Sequence, residues 1–304
     1  MDTKSSLSKK TARLDSFLNL DRITSGDKNS SSQIRLYYLL NRLTYRRFHS
    51  EQGFMHFRIS KNGTFAEDDI YYQPDTISRY IRSGDRVMEL GPGQGANLLY
   101  LAQRHPNAML LGLDLLPAKL KNAPSNVCIL KQDYSNLSRF QDSSFDVVYA
   151  IETIVHASDK TPVFREVYRV LKPGGVFLVF DYVLSAPYAS YPPLIQTAIA
   201  LISKGAASAL IEPESAWEGY FRNAGFHPEE ITDLTKETMP DLKRLAHKAS
   251  RILDHPQLAR AVFRLFPAHI VNNIVVGYLG YDSFREGVLG YRQWIFRKKA
   301  AQDP

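Results

Sequence analysis

Between residues 85 and 183 the chain alternates short apolar runs with segments in which apolar positions recur every three or four residues. The runs "DRVMELG" (85–91), "AMLLGLDL" (108–115), "VCILKQD" (127–133), "FDVVYAIE" (145–152) and "GGVFLVFDYV" (174–183) read as strands. "ANLLYLAQRH" and "TPVFREVYRVL" lie between them and carry the spacing of helices. Apolar strands joined through helices predict an α/β fold, with a mostly parallel sheet covered on both faces.

The flanks have a different rhythm. "MDTKSSLSKKTARLDS" is polar and basic without an apolar core, which argues against a secretory signal and for a frayed tail over 1–33, ending in the polar stretch "SGDKNSSSQ". "IRLYYLLNRLTYRRF" places Leu36, Leu40 and Leu43 on one helical face, so 34–75 is expected to form a helical cap before a core over 76–183. After 183 come a Pro- and Tyr-bearing loop, two helical segments, the second stopped by Gly225, and the strand-like "HPEEITDL"; together they make a substrate-side region over 184–240. A long helical pattern beginning "DLKRLAHKASRILDHPQLARAVFRLF" then separates that strand from "GYRQWIFRKK", and predicts a helical lid over 241–288 before a last strand and tail over 289–304.

Length and composition narrow the class. At 304 residues, 44% hydrophobic and 23% charged, the chain can bury a sizeable core, and no stretch approaches the roughly 20 apolar residues of a membrane span. The single cysteine, Cys128, removes disulfides and cysteine-based zinc sites from consideration and fits a reducing, cytoplasmic interior. No metal is assigned. The net charge of +7 permits an acidic partner, and from residue 240 onward eleven Lys/Arg face five Asp/Glu. No basic run is interleaved with stacking aromatics, so nucleic acid is not expected, although the charge keeps an RNA or protein substrate as an alternative reading. The basic amphipathic stretch 241–266 would suit an anionic membrane surface, alone or alongside catalysis. Sequence leaves a homo-oligomer open.

The first strand runs into "GPGQGAN", with Gly91, Gly93 and Gly95 at alternate positions. Such a turn lets backbone approach a ligand closely, and the helix that starts near Asn97 points its N-terminal amides there. Gly91, Gly93 and Ala96 also fit a dinucleotide fingerprint, a weak signal alone. Glu89 shifts the balance, because a carboxylate just before the turn suits a cationic amino-acid group and would repel a pyrophosphate. Asp114 ends the second strand, where it can accept from both hydroxyls of a ribose, and Asp133 ends the third, placed to meet a purine edge. Taken singly, Glu89 reads equally as a satisfied buried acid and Asp114 as a helix cap before "PAKL".

In order, "VMELGPGQGAN", "LLGLDLLPAKL", "LKQDYS", "SSFDVVYAIE" and "EVYRVLKPGGVFLVFDYV" resemble the class I S-adenosylmethionine-dependent methyltransferases. The resemblance implies a Rossmann-like seven-stranded sheet with an antiparallel last strand, and S-adenosyl-L-methionine as cofactor. It assigns Gly91, Gly93 and Gly95 to the methionine moiety, Asp114 to the ribose, and Asp133 with Tyr134 to the adenine. Asn97, Leu115 and Ile151 complete the expected cofactor-binding set.

"YAIETIVHA" brings Glu152 and His156 to the end of the fourth strand, four positions apart, so that one helical turn would put both on a shared face. A histidine near its ordinary pKa of about 6.5 can take a proton at neutral pH while the acid orients it. Capping and solvation are the plainer roles for the pair. This stretch is similar to the sterol and related small-molecule C-methyltransferases, which carry an acid and a histidine at these positions. "GFMHFRIS" (53–60) is similar, through His56 and Phe57, to their aromatic N-terminal motif, although most of that motif's aromatic and glycine pattern is missing. Tyr37, Tyr38, Tyr45, Phe54, His56, Tyr182, Tyr188 and Tyr191 are the expected pocket residues for a lipophilic, terpenoid-, sterol- or polyketide-like acceptor methylated at carbon or oxygen, and aromatic faces could stabilise a carbocation there.

Overall fold

The computed structural model describes residues 5–16, 52–120, 122–208 and 210–299. Within them β1 (Arg86–Leu90), β2 (Met109–Asp114), β3 (Val127–Lys131), β4 (Phe145–Ile151), β5 (Leu171–Leu184), β6 (Pro228–Asp233) and β7 (Leu289–Arg297) form one sheet in the order β3-β2-β1-β4-β5-β7-β6. Neighbours from β3 to β5 are parallel, and β7 lies antiparallel to both β5 and β6. The seven strands and the reversed last one are those expected from sequence. The order turns back beside β1, and the carboxyl ends of β1 and β4 open on the crevice where open α/β sheets bind ligands.

Alternation along the strands divides the core between the two faces. Val87, Val147, Tyr149, Leu178 and Phe180 belong to one buried cluster, and Met88, Leu90, Val148, Phe177 and Val179 to the other. The second cluster is closed by α4 (Thr161–Val170) and α6 (Glu214–Asn223), with Trp217 stacked on Trp294 at 5.2 Å. The first is covered by α2 (Tyr72–Ser78), α3 (Ala96–Arg104), α5 (Pro193–Gly205), α7 (Thr235–Leu253) and α9 (Ala268–Arg285). A short helix α8 (Pro256–Leu265) joins α7 to α9.

Two expectations change. Residues 6–15, expected within a frayed tail, form helix α1 (Ser6–Asp15), capped by the Ser5 hydroxyl, which accepts from the Ser8 amide at 2.9 Å. Leu7 and Leu14 are fully buried in the core, and Lys10 pairs with Asp282 of α9 at 2.7 Å. Two leucines seven residues apart bury one stripe, Lys9 is exposed, and Lys10 reaches across to α9. The helical insertion between β6 and β7 begins at Thr235, not at 241, and comprises α7, α8 and α9. The helix expected over 34–48, with Tyr37, Tyr38 and Tyr45, lies outside the described residues.

Candidate active site

A cavity of about 1360 Å³ opens at the carboxyl ends of β1, β2, β3 and β4 and extends under α7 and α9. Its first half is built on the glycine turn. Gly91, Gly93 and Gly95 have φ of +67°, +54° and +79°, a region that L side chains rarely enter. At Gly91 a Cβ would also stand 2.4 Å from Cγ2 of Thr153, so close packing and backbone conformation both demand glycine. Gly91 and Gly93 line the cavity, whereas Gly95 sits behind it as the residue before α3, where a Cβ would meet Leu120 at 2.9 Å. Gly95 therefore shapes the turn and makes no wall.

Three acids follow at the strand ends. Glu89 is buried on β1, and its carboxylate accepts from the Asn97 amide and the Tyr149 hydroxyl, each at 3.0 Å. Both donors are neutral, and burial pushes its carboxyl up to about 7. Asn97 in turn faces Nε2 of the buried His56 through Oδ1 at 3.2 Å, and Nδ1 of His56 lies 3.2 Å from the Phe57 carbonyl. Asp114 accepts from the amides of Gly93 (3.0 Å) and Leu116 (2.7 Å), and burial raises its pKa. No helix starts after it, which removes its reading as a helix cap. Asp133 is exposed at the rim and accepts from the Ser135 amide and hydroxyl. The Tyr134 hydroxyl donates to the Thr153 carbonyl at 3.0 Å, which ties the third strand end to the fourth. Leu115 and Ile151 also line this half.

Glu152 and His156 both line the cavity, but not on one α-helical turn. Glu152 is left-handed at φ +50°, Thr153 at φ −125° and ψ −42° is neither helical nor extended, and Ile154–His156 form a single tight turn. Asp181, fully buried on β5, accepts the Val155 amide at 3.0 Å and so holds that turn in place. Oε1 of Glu152 accepts from the Phe57 amide (2.7 Å) and the Tyr291 hydroxyl (2.9 Å), and burial pushes the acid up to about 8. Nδ1 of His156 lies 3.2 Å from the Ala207 carbonyl; a carbonyl only accepts, so this nitrogen carries the proton. Burial pulls the imidazole down to about 4. The pair thus differs from the expected histidine base near 6.5: the imidazole is neutral and weakly basic, and the carboxylate is the stronger base of the two.

The other half of the cavity is apolar. Leu242, Leu245 and Ile252 of α7 and Ile274, Gly277 and Phe284 of α9 form most of it. Of the expected pocket residues, Phe54, His56 and Tyr182 line the cavity. Tyr188 and Tyr191 do not: they pack against the core outside it, and the Tyr191 hydroxyl accepts from the Ala186 amide and donates to the Val288 carbonyl. Sequence reading missed Tyr291, Asp181 and Thr153, whereas the α9 wall falls within the lid expected over 241–288. Tyr291 has a neighbour in sequence, Gly290, that marks a close approach, but nothing local links it to Glu152.

A volume of 1360 Å³ exceeds the roughly 300–1,000 Å³ of a pocket for one drug-sized ligand, so donor and acceptor can occupy it together. The polar half fits S-adenosylmethionine. Glu89 is a buried carboxylate held by neutral donors, and an amino-acid ammonium would supply its missing counter-charge. Asp114 and Asp133 stand at successive strand ends where ribose and adenine would follow.

Residues 88–179, from β1 into β5, match the family described as a methyltransferase domain. The chain is 31% identical over 202 residues to the sterol 24-C-methyltransferase of Schizosaccharomyces pombe, covering 63% of this chain and 53% of that protein. It is 30% identical over 190 residues to the corresponding protein of Aspergillus fumigatus, covering 56% and 49%. The chain therefore spans about half the length of the curated relatives it matches. Among solved structures the cyclase SpnF superposes with a TM-score of 0.69 at 18% identity, over 91% of this chain and 98% of that one, a likeness of fold. Residues 88–179 thus carry a class I S-adenosylmethionine-dependent methyltransferase domain, and the chain resembles the sterol C-methyltransferases.

Proposed function

We propose that this protein transfers the methyl group of S-adenosylmethionine to a small lipophilic acceptor, at carbon or oxygen. The observation that carries this reading is the meeting of two unlike half-cavities, one acidic and glycine-walled, the other apolar, at Glu152 and His156. Bound S-adenosylmethionine supplies an electrophilic methyl group on a sulfonium. In this reading Glu89 pairs with its ammonium, Asp114 accepts from the ribose hydroxyls, and Asp133 with Tyr134 bounds the adenine. The walls from α7 and α9 exclude water and hold the acceptor in line, which supplies much of the rate of a displacement reaction.

When the acceptor gains the methyl group it gives up a proton, and Glu152, once ionised, takes it. Tyr291 and the Phe57 amide fix the carboxylate for that role. His156, held by the Ala207 carbonyl, orients the acceptor as a neutral hydrogen-bonding group.

Calorimetry with S-adenosylmethionine should give saturable binding that Asp114→Ala abolishes. Incubation of lipophilic extracts with methyl-labelled cofactor should yield a product heavier by one methyl group. Absence of binding by the wild-type protein, or binding of NADH in its place, overturns the reading.

A further inference from the structure

Helix α8 links the two helices that wall the apolar half-cavity, and its outer face is unusual for a surface helix. Ala259 and Val262 turn inward and are buried, with Phe263 packed half-buried against the core. Leu258 and Leu265, seven residues apart on a stripe bordering the buried one, are 45% and 75% exposed, and Phe266 just beyond the helix is 50% exposed. Among the described residues only Met109, Leu210 and Ile231 are other large hydrophobics exposed in this way, and they are scattered. Single exposed apolar residues are ordinary, whereas a cluster of three within nine positions marks a contact surface.

Cations outnumber acids around this cluster. Arg260 and Arg264, one turn apart, lie on the other exposed flank of the helix, and neither joins an ion pair among the described residues. Lys248 and Arg251 of α7 are exposed, line the cavity, and add to the positive charge on this side of the insertion. The nearby acids are engaged: Asp241 is fully buried against Arg58 and Arg244, and Asp254 accepts from the Tyr278 hydroxyl at 2.7 Å. Leucines and a phenylalanine bordered by free cations match the boundary between acyl chains and anionic headgroups, where apolar side chains insert and arginines meet phosphate.

We propose that α8 docks the protein on an anionic phospholipid surface, with Leu258, Leu265 and Phe266 inserted and Arg260, Arg264, Arg251 and Lys248 against the headgroups. Docked this way, the apolar half-cavity between α7 and α9 faces the bilayer, so an acceptor dissolved in the membrane enters without crossing water. The docking stands on the surface alone. Its use for acceptor entry rests on the proposed lipophilic substrate.

Sedimentation with vesicles tests it. The full chain should pellet with vesicles of phosphatidylcholine mixed with phosphatidylserine and stay in solution with phosphatidylcholine alone. The attraction should weaken as salt rises and the Debye length shortens. The double variant Leu258→Ser/Leu265→Ser should partition at least about tenfold more weakly, and Arg260→Gln/Arg264→Gln roughly tenfold more weakly. Both variants should keep wild-type thermal unfolding and wild-type affinity for S-adenosylmethionine, because neither alters a cavity wall. Failure to pellet, or equal pelleting of wild type and variants, overturns the proposal. So does a concentration-dependent dimer lost in the leucine variant, which would assign the face to a second copy of the chain. Cofactor binding without vesicle binding sinks the docking and leaves the methyltransferase reading intact; the reverse result does the opposite.

Discussion

The Tyr291 hydroxyl donates to Oε1 of Glu152 across 2.9 Å, although 139 residues separate the two in the chain. Tyr291 is buried on β7, and its hydroxyl also faces the Gln73 amide at 3.4 Å, while that amide donates to the Phe57 carbonyl at 2.8 Å. The bond favours the ionised carboxylate, whereas burial favours the protonated one and wins, which leaves the acid at about 8. If Glu152 accepts the proton, methyl transfer should rise with pH through that value and level above it. Tyr291→Phe removes a donor to the charged form, so the rising limb should move to higher pH by about one unit. A pH profile of kcat/KM measures this, and an unmoved limb would show that the hydroxyl does not govern the acid.

Glu89 sets a second pH dependence. Its folded-state value of about 7 lies above the usual carboxylate range, so the folded protein holds a proton that the unfolded chain has released. The stability associated with that proton is present below about pH 4.3 and is lost as pH rises through 7. Glu89→Gln should therefore be more stable than wild type at pH 8, by at most about 4 kcal/mol, with little difference at acid pH. The same variant should lose affinity for S-adenosylmethionine. In the wild type, cofactor affinity should increase as pH rises through 7, because an ammonium binds the ionised acid. Calorimetry near that pH in buffers of different ionisation enthalpy should detect proton release.

Gly91→Ala should damage the site through space and backbone together. The new Cβ would lie 2.4 Å from Cγ2 of Thr153, at a φ of +67°. Strain of this kind costs about 1–3 kcal/mol. Cofactor binding should fall more than stability does. Gly63→Ala, also at positive φ but with open space around its Cβ, should lose stability alone.

Helix α1 should prove part of the folded unit. Leu7→Ala and Leu14→Ala should each cost about 2–5 kcal/mol in denaturant unfolding, as expected for emptied core positions. Free mobility of residues 6–15, seen as rapid amide exchange throughout the helix, would contradict its docking.

The strands of the core were legible because parallel strands buried on both faces must be continuous apolar runs, and those of β1, β2 and β3 end in the glycines and acids that a ligand needs. Helix α1 was hidden because its short stripe, Leu7 and Leu14, sits among serines and lysines that look solvated. Helix α9 buries parts of several faces, so its sequence carries little one-sided periodicity to read. The acid and histidine were found as residue types at a strand end, but their geometry was not. A left-handed Glu152 and a tyrosine from β7 are products of tertiary packing, and Asp181 and Phe180 on β5 help fix where that turn falls. Tyr188 and Tyr191 show the converse. Aromatic side chains next to a site read as its wall, but Tyr188 packs against the core and the bonds of the Tyr191 hydroxyl to Ala186 and Val288 make it the brace of a loop.

The slot of β7 between β5 and β6 has a consequence for biosynthesis. A nascent chain on the ribosome can pair β1 through β5 early, but the ladders flanking the gap stay open until residues 289–297 emerge. Tyr291 arrives with β7, and the Glu152 carboxylate gains its hydroxyl partner only once that strand has emerged.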